Sequence, residues 1–323
     1  MPKISIIIPN YNYEHYLRQR IESVMSQTFT DYEIIFLDDC STDGSREIIG
    51  EYRNHPKVSA VVLNDTNTGS PFMQWKRGLD MATGEFVWIA ESDDYCLPCF
   101  LEVMAKALDS NRHAAFAIAG SQLVDETGSD IDTDYDGWDE DGSVRVYSPH
   151  EYIRHFLLWR NTAYNASMIV FRRTAYAQVT DWFAGMRFCA DWRFWIEMAL
   201  NGDVVEVRRK MNRFRQHTNR VTVKSDGTEG QLREKMATLE FLYALPFIGR
   251  YRRLLSKGAF YKEISRTNAS RQQKAAFFDM AKHQLGVSFV DYAIERTMKT
   301  LSQMLPFITT PSNDRFLHEK KQH

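Results

Sequence analysis

Two groups of acidic residues follow short apolar runs, and their residue types point to cation chemistry. Asp38-Asp39 comes directly after the apolar run at 32–37, and Glu91-Ser92-Asp93-Asp94 comes after the run at 86–90. Carboxylates that lie close together repel each other unless a cation or hydrogen-bond donors compensate. Mg²⁺ and Mn²⁺ prefer carboxylate oxygens and leave positions open for substrate phosphates. The pattern therefore indicates a metal-bound phosphate ligand, and the plain alternative is that each group fills a turn or caps a helix.

Alternating strands and helices would bring both acidic groups to one edge of a sheet. Apolar runs at 3–9, 32–37, 58–63 and 86–90 predict four buried strands. Helical spacing between them predicts three helices, the first capped by Asn12, the second by Ser41 or Thr42, and the third spanning about 72–82. Right-handed crossovers then place all four strand ends on the edge where open parallel sheets bind ligands.

The regular alternation ends near residue 110. Strands are predicted at 114–120, 168–171 and 204–207, a helix at 192–200, and a mobile acidic loop containing Trp138 at 125–143. From 229 onward the pattern is wholly helical. The clearest helix carries apolar residues three or four apart: Val287, Val290, Ile294, Met298, Leu301 and Leu305.

Composition narrows the class of protein. The 323 residues are 44% hydrophobic and 25% charged, which is typical of a globular chain. No apolar run approaches the roughly 18–20 residues of a membrane span, and no signal peptide is recognised. Four cysteines do not make a disulfide scaffold, so we expect a cytoplasmic protein.

Charge is unevenly divided along the chain. Residues 231–323 hold 16 basic and 8 acidic residues, a net of +8, whereas the rest of the chain has a net of −10. A basic helical tail is commonly a solvated face. The alternative is peripheral contact of 231–323 with an anionic membrane, through the basic stretch 250–255 and the apolar residues 305–308.

Several competing motifs are missing or isolated. The chain has neither G-x-G-x-x-G nor G-x-x-x-x-G-K-[ST], so dinucleotide-binding and P-loop interpretations lack their central motif. The C-x-x-C pair Cys96 and Cys99 and the glycosylation sequon Asn165-Ala166-Ser167 are not expected to act as such. A sugar nucleotide held by metal and side chains is the remaining interpretation, and no nucleic-acid partner is expected.

The N-terminal portion resembles family 2 glycosyltransferases. The matching motifs are residues 6–12, 26–29 with 33–35, 38–45, and 82–86 leading into 91–94 and Pro98. The resemblance is strong over 3–108 and looser over about 160–222. It implies an α/β protein of the GT-A fold, a Rossmann-like, mainly parallel sheet flanked by helices. The expected domains are 1–228, with a nucleotide-binding half (1–110) and an acceptor half (111–228), and a C-terminal helical appendage at 229–323.

The resemblance also assigns roles at the nucleotide. It implies that Pro9 and Tyr11 line the nucleobase pocket, that Asp39 accepts a hydrogen bond from the base or ribose, and that Asp38 supports that loop. Glu91 and Ser92 fall in the segment that meets the nucleotide sugar, with Glu91 where the family more often has the first Asp of D-x-D.

Metal and catalytic roles follow from the same resemblance. Asp93 falls on the metal-binding Asp, and Asp191 falls on the catalytic base of the E-D-x-x-x-W segment, where Ala190 replaces the usual Glu. The alternative for Asp191 is a helix N-cap. In the segment 213–217, which continues to Asn219 and Thr222, Arg215 is expected to bind the leaving pyrophosphate and His217 to bind metal or diphosphate.

These residues together predict an inverting glycosyltransferase. It would use Mg²⁺ or Mn²⁺ and a nucleotide-diphosphate sugar, with a UDP-sugar as the first choice. The acceptor would be a hydroxyl of a glycan or lipid-linked saccharide, as in bacterial surface polysaccharide synthesis. One alternative is a non-catalytic subunit that binds sugar nucleotide or glycan on the same fold. The other alternative is a nucleotidyltransferase on a related fold, but this chain lacks the Gly-rich N-terminal loop of such enzymes.

Overall fold

The computed structural model describes residues 1–131, 140–217 and 228–304. Within them the strands are β1 (Ile4–Asn10), β2 (Tyr32–Asp38), β3 (Val58–Leu63), β4 (Phe86–Ile89), β5 (Tyr95–Cys96), β6 (Ala114–Val124), β7 (Val144–Tyr147), β8 (Ile169–Arg172) and β9 (Asp203–Arg215). The helices are α1 (Glu14–Met25), α2 (Ser45–Tyr52), α3 (Pro71–Met81), α4 (Phe100–Ser110), α5 (Pro149–Tyr152), α6 (Arg173–Tyr176), α7 (Ala190–Leu200), α8 (Glu229–Ala244), α9 (Arg250–Arg266), α10 (Arg271–Leu285) and α11 (Phe289–Met304).

The chain divides into two compact units. The first comprises Met1–Pro149 and Ala163–Arg220, and the second comprises His150–Thr162 and Val221–His323. In this division the short segment 150–162 groups with the C-terminal helices, and the expected boundary at 228 stays a prediction.

The first unit is built on one mixed sheet. Its strand order is β3-β2-β1-β4-β8-β6-β9-β5, with β7 paired to β9. Strands β1 to β4 are mutually parallel, as expected, so their carboxyl ends share one edge. The second half mixes directions, since β8 is antiparallel to β4 and β6 whereas β6 and β9 are parallel. The expected α/β architecture is confirmed. The sheet was expected to be mainly parallel, but only its first half, β1 to β4, is purely parallel.

The core on one face of the sheet explains how α1 is placed. Ile4, Ile6 and Ile8 of β1 are fully buried in one hydrophobic cluster with Leu17 and Ile21 of α1. On the other face α3 lies close to β1 at Gly78. A side chain there would clash, since a Cβ added at Gly78 would lie 2.5 Å from the Ile7 side chain. These contacts fix the loops that leave the carboxyl end of β1.

The predicted helix caps are wrong. The N-cap of α1 is Tyr13 and that of α2 is Gly44, and neither makes a side-chain cap bond. Asn12 instead has a left-handed φ of 56°. Its backbone N–H donates to Ser41 Oγ, and its Oδ1 accepts from the Thr42 N–H. These polar residues join two loops rather than starting two helices, which local spacing does not reveal.

Strand β9 is longer than predicted. The sequence suggested 204–207, but the strand extends for 13 residues to Arg215. Its polar second half pairs with β5, which follows the second acidic group, at Tyr95↔Arg213 and Cys96↔Asn212. β9 therefore brings the late basic segment beside the acidic residues.

The second unit is helical over its described residues, as predicted. α10 begins with a capping box between Ser270 and Gln273, and Gly286 ends it in the left-handed conformation. In α11 no residue is buried, and Phe289, Val290 and Ile294 are exposed. The apolar residues 305–308, which the sequence analysis assigned to a membrane contact, lie outside the described residues. Over the described parts of both units, no helix combines the length and hydropathy needed to cross a membrane.

Candidate active site

The loops after β1 and β2 are joined by buried polar side chains. Asp38 is fully buried, and its carboxylate accepts from the Ser41 N–H (2.9 Å), Arg46 Nε (2.8 Å) and Asn10 Nδ2 (3.0 Å). Burial alone raises the pKa of Asp38, but these hydrogen bonds outweigh it and lower the pKa below its usual value. Asp38 therefore braces the loop that carries Asp39.

The carboxylate of Asp39 is already filled by protein donors. It accepts from Asn64 Nδ2 (2.8 Å), Gln74 Nε2 (2.8 Å), Thr68 Oγ1 (2.7 Å) and the Thr68 N–H (3.0 Å). Four donors match the roughly four lone-pair sites of a carboxylate. A nucleobase N–H can reach Asp39 only by replacing one of them.

Pro9 and Tyr11 lie at the carboxyl end of β1. Pro9 is buried, and its carbonyl accepts a hydrogen bond from Ser92 Oγ at 2.7 Å. The Tyr11 side chain is 47% exposed and so presents a ring to solvent at this edge. The Ser92 bond ties the end of β1 directly to the acidic residues that follow β4.

The residues Glu91–Asp94, here named the acidic turn, are held at every position. Trp75 Nε1 donates to Glu91 Oε1 at 2.8 Å. Burial, with the charges of Asp93 and Asp94 adding to it, raises the pKa of Glu91 to about 8. Burial and the charge of Asp93 likewise raise the pKa of Asp94 to about 6. Burial and mutual repulsion of the carboxylates thus favour the protonated forms of Glu91 and Asp94.

Asp93 is paired with a histidine that follows it by 124 residues. Its Oδ2 lies 3.0 Å from His217 Nε2. Tyr13 and Tyr16 of the α1 region lie against the His217 ring at centroid distances of 5.6 and 5.3 Å. The fold therefore brings the two expected metal residues together at the sheet edge.

This pair fits part of a divalent-cation site. Two ligands at right angles on an octahedral cation, each about 2.1 Å from it, are about 3.0 Å apart. Across residues 1–131, 140–217 and 228–304, no group of three or more His, Cys, Asp or Glu side chains is placed to hold a metal. Asp93 and His217 could therefore provide two of the ligands of such a cation, and the other positions would fall to phosphate oxygens or water.

Arg215 does not offer its guanidinium to a pyrophosphate, contrary to the expectation. It is 1% exposed, and Nε donates to the Asp93 carbonyl at 2.9 Å. Nη1 donates to the carbonyls of Asp125 and Glu126, and Nη2 to Gln19 Oε1. Four of its five N–H groups are used by the protein. Burial between the acidic turn and a neighbouring loop makes Arg215 a brace for Asp93.

Asp191 lies in the first turn of α7. The N-cap is Cys189, which makes no side-chain cap bond, and Asp191 Oδ1 accepts from the Trp192 N–H at 2.8 Å. The helix N-terminus favours the ionised carboxylate. Asp191 is thus a carboxylate at a helix start, as its expected role requires.

Several residues at the site were not found from the sequence. The acidic turn is contacted by Trp75 and by the segment Asn165–Ser167. The His217 ring is contacted by Tyr13 and Tyr16, and Asp39 by Gln74. The three tyrosines of Tyr11-x-Tyr13-x-x-Tyr16 directly follow the first predicted strand, and this spacing could have indicated an aromatic part of the site. Asn219 and Thr222, expected to extend the His217 segment, lie outside the described residues. Cys96 and Cys99 form no disulfide bond.

Comparison with solved structures shows the same fold. The crystal structure of residues 1–349 of TarS from Staphylococcus aureus in complex with UDP-GlcNAc matches with a TM-score of 0.69 and 18% identity, covering 99% of this chain and 92% of that one. The same protein in complex with UDP matches with a TM-score of 0.54, 19% identity, and 87% and 72% coverage.

Curated relatives match mainly the first part of the chain. The putative teichuronic acid biosynthesis glycosyltransferase TuaG of Bacillus subtilis is 32% identical over 131 residues, 41% of this chain and 51% of that protein. The poly(ribitol-phosphate) β-N-acetylglucosaminyltransferase TarS of Staphylococcus aureus is 40% identical over 97 residues, 29% and 17%. The chain thus spans about half the length, or less, of these relatives.

The family model describes the same region. The model of glycosyl transferase family 2 matches residues 5–180, which include the ends of β1, β2 and β4 and the acidic turn. Because the matched segment is more than half of the sequence, the chain belongs to glycosyl transferase family 2.

Proposed function

We propose that this protein is an inverting glycosyltransferase that uses a UDP-sugar in the synthesis of a bacterial surface polysaccharide. The observation that carries the proposal is the pairing of Asp93 with His217 at 3.0 Å, at the carboxyl edge of the parallel strands. The relative solved with UDP and UDP-GlcNAc supports a uridine donor, and the name of TuaG supports a polysaccharide product. The acceptor would be a hydroxyl of a glycan or lipid-linked saccharide.

Each residue has a defined task in this proposal. Asp93 and His217 would hold Mg²⁺ or Mn²⁺, whose charge stabilises a leaving diphosphate. Tyr11 would stack on the base, beside Pro9, and Asp39 would accept its N–H once a present donor withdraws. Glu91 and Ser92 would meet the ribose and sugar side of the donor. Asp38 and Arg215 act indirectly, by bracing Asp39 and Asp93.

Asp191 would remove the proton from the acceptor hydroxyl. A carboxylate at a helix N-terminus is stabilised in its ionised form, which a general base requires. The sugar would then be attacked from the face opposite the diphosphate, so the anomeric configuration inverts.

The second unit would make peripheral contact with the inner face of the plasma membrane. Arg250, Arg252 and Arg253 begin α9, and the exposed apolar residues Phe289, Val290 and Ile294 lie on α11. Basic residues near a membrane are attracted to its anionic lipids, and exposed apolar side chains add burial. The contact would keep the enzyme near a lipid-linked acceptor.

A second candidate is a donor-binding subunit without catalysis. Two observations favour it: Trp75 engages the Glu91 carboxylate, and Ala190 precedes Asp191 where the family usually has Glu. Hydrolysis of a UDP-sugar by the wild type with Mn²⁺ would contradict this candidate.

Calorimetry with UDP tests the proposal. We expect UDP to bind more tightly with Mn²⁺ than with EDTA, and Asp93→Ala and His217→Ala to lose that difference. Asp109→Ala, an exposed carboxylate paired with Lys3, is the control and should keep it. Equal UDP affinity of the wild type with Mn²⁺ and with EDTA would refute the metal-dependent site.

A further inference from the structure

The segment Asn165-Ala166-Ser167, a glycosylation sequon by sequence, is buried inside the first unit. Asn165 is 7% exposed and Ser167 is fully buried. Asn165 caps a short 3₁₀ turn, since its Oδ1 accepts from the Ser167 N–H at 2.7 Å. This cap leaves Asn165 Nδ2 and Ser167 Oγ facing other parts of the protein.

Both groups reach the acidic turn, together with a buried arginine of α1. Ser167 Oγ accepts from the Glu91 N–H at 3.0 Å and from Arg20 Nη2 at 3.1 Å. Arg20 Nε donates to the Glu91 carbonyl at 2.8 Å. Both backbone polar groups of Glu91 are thus fixed by side chains from distant segments.

The same set of residues anchors Asp94. Asn165 Nδ2 donates to Asp94 Oδ2 at 2.6 Å, and the Arg215 N–H donates to Oδ1 at 3.0 Å. Arg20 Nη2 lies 3.9 Å from Asp94 Oδ2, and both side chains are essentially fully buried. Because the protein uses both oxygens of Asp94, that carboxylate is an anchor, whereas the carboxylate of Asp93 pairs with His217 through Oδ2.

The burial of Arg20 is costly for stability alone. A fully buried guanidinium loses its hydration, and replacing a buried ion pair by apolar residues is often neutral or stabilising. Arg20 Nη1 has no hydrogen-bond partner within the part of the chain that the structure describes, which adds to the cost. What the arginine secures is the position of the acidic turn.

We infer that Arg20, Asn165 and Ser167 are positioning residues that hold the acidic turn so that Asp93 meets the cation and diphosphate of the donor. The inference rests on the proposed function and deepens it, because it assigns donor affinity to residues outside the family motifs. It also joins the acceptor half to the donor half, since residues 165–167 precede β8.

Ser167→Ala and Asn165→Ala test the inference against Ser5→Ala. Ser5 is a matched control: it is fully buried and its Oγ accepts from the N–H groups of Thr83 and Gly84 near the start of β1. Each full-length variant is measured by hydrogen exchange of the amides of 91–94 without ligand, and by calorimetry with UDP and Mn²⁺. Urea unfolding checks that the losses of stability are comparable.

We expect faster exchange at 91–94 and about 10-fold weaker Mn²⁺-dependent UDP affinity in the two test variants, as is typical when the support of a metal ligand is removed. Ser5→Ala should keep both values. Unchanged exchange at 91–94, or equal effects of Ser5→Ala, overturns the inference. A wild type that binds no UDP refutes the proposed function instead, and the exchange result then decides the positioning role by itself.

Discussion

Thr68→Val is expected to increase UDP affinity. In the ligand-free protein, Thr68 Oγ1 donates to Asp39 Oδ2 at 2.7 Å and fills the lone pair that a nucleobase N–H would need. The valine keeps the side-chain shape and removes this donor, whereas the bond from the Thr68 N–H remains. The variant therefore binds the base without first breaking a protein hydrogen bond.

The size of the effect follows from the bond that is removed. A hydrogen bond to a charged group contributes about 1.5–3 kcal/mol. Thr68 is exposed, so the lower end applies, and about 1.4 kcal/mol corresponds to tenfold in affinity. We expect UDP to bind about tenfold more tightly, while the free energy of unfolding falls by about 1.5 kcal/mol.

Calorimetry with UDP and with pyrophosphate distinguishes the base from the phosphates. Pyrophosphate affinity should not change in Thr68→Val. Thr28→Val is the matched control, because Thr28 is also exposed and its Oγ1 donates to Glu102 Oε2 at 2.7 Å away from the site. If Thr68→Val binds UDP no more tightly than the wild type, or if both ligands change equally, the nucleobase does not compete for Asp39.

Three further outcomes are expected. Asp191→Asn should abolish transfer, measured with a radiolabelled donor, while UDP affinity stays within twofold; an active variant would exclude Asp191 as the base. Glu91 has a folded-state pKa of about 8, above its usual 4.5, so the ligand-free fold loses stability as the pH rises between these values. Glu91→Gln should reduce this loss, and urea unfolding in EDTA at pH 5 and pH 8 that shows the same fall in both proteins would contradict it. The full chain should co-sediment with anionic vesicles at low salt but not with neutral ones, and no sedimentation with either would refute the membrane contact.

The parallel direction of the first four strands and the acidic sheet edge were predictable from the sequence. Short apolar runs, each followed by a stretch with helical spacing, predict parallel strands whose carboxyl ends, with Asp39 and Asp93, share one edge, and the sheet has this arrangement. This prediction succeeds because the spacing of apolar residues and the length of the connections between strands are local properties of the chain.

The supports of the site were not predictable in the same way. Asn12 and Ser41 have the types of helix caps, yet they bond to each other's loops, because the partner that satisfies a polar side chain depends on tertiary contacts. Arg215 has the type of a phosphate ligand, yet burial commits it to carbonyls of the acidic turn and its neighbour. Residue type gives the capacity to bond, and only the fold selects the partner.

Strand β9 makes assembly of the site a late event in synthesis. Asp93 and Asp94 obtain bonds from Arg215 and His217, which follow them by more than 120 residues. A nascent chain that has passed residue 110 holds the ends of β1, β2 and β4, yet the ribosome must still deliver the end of β9 before the acidic turn has all its contacts. Residues 1–110 are therefore not a self-sufficient unit, and a gene fusion that joins them to a foreign second half must also carry the strand that ends at Arg215.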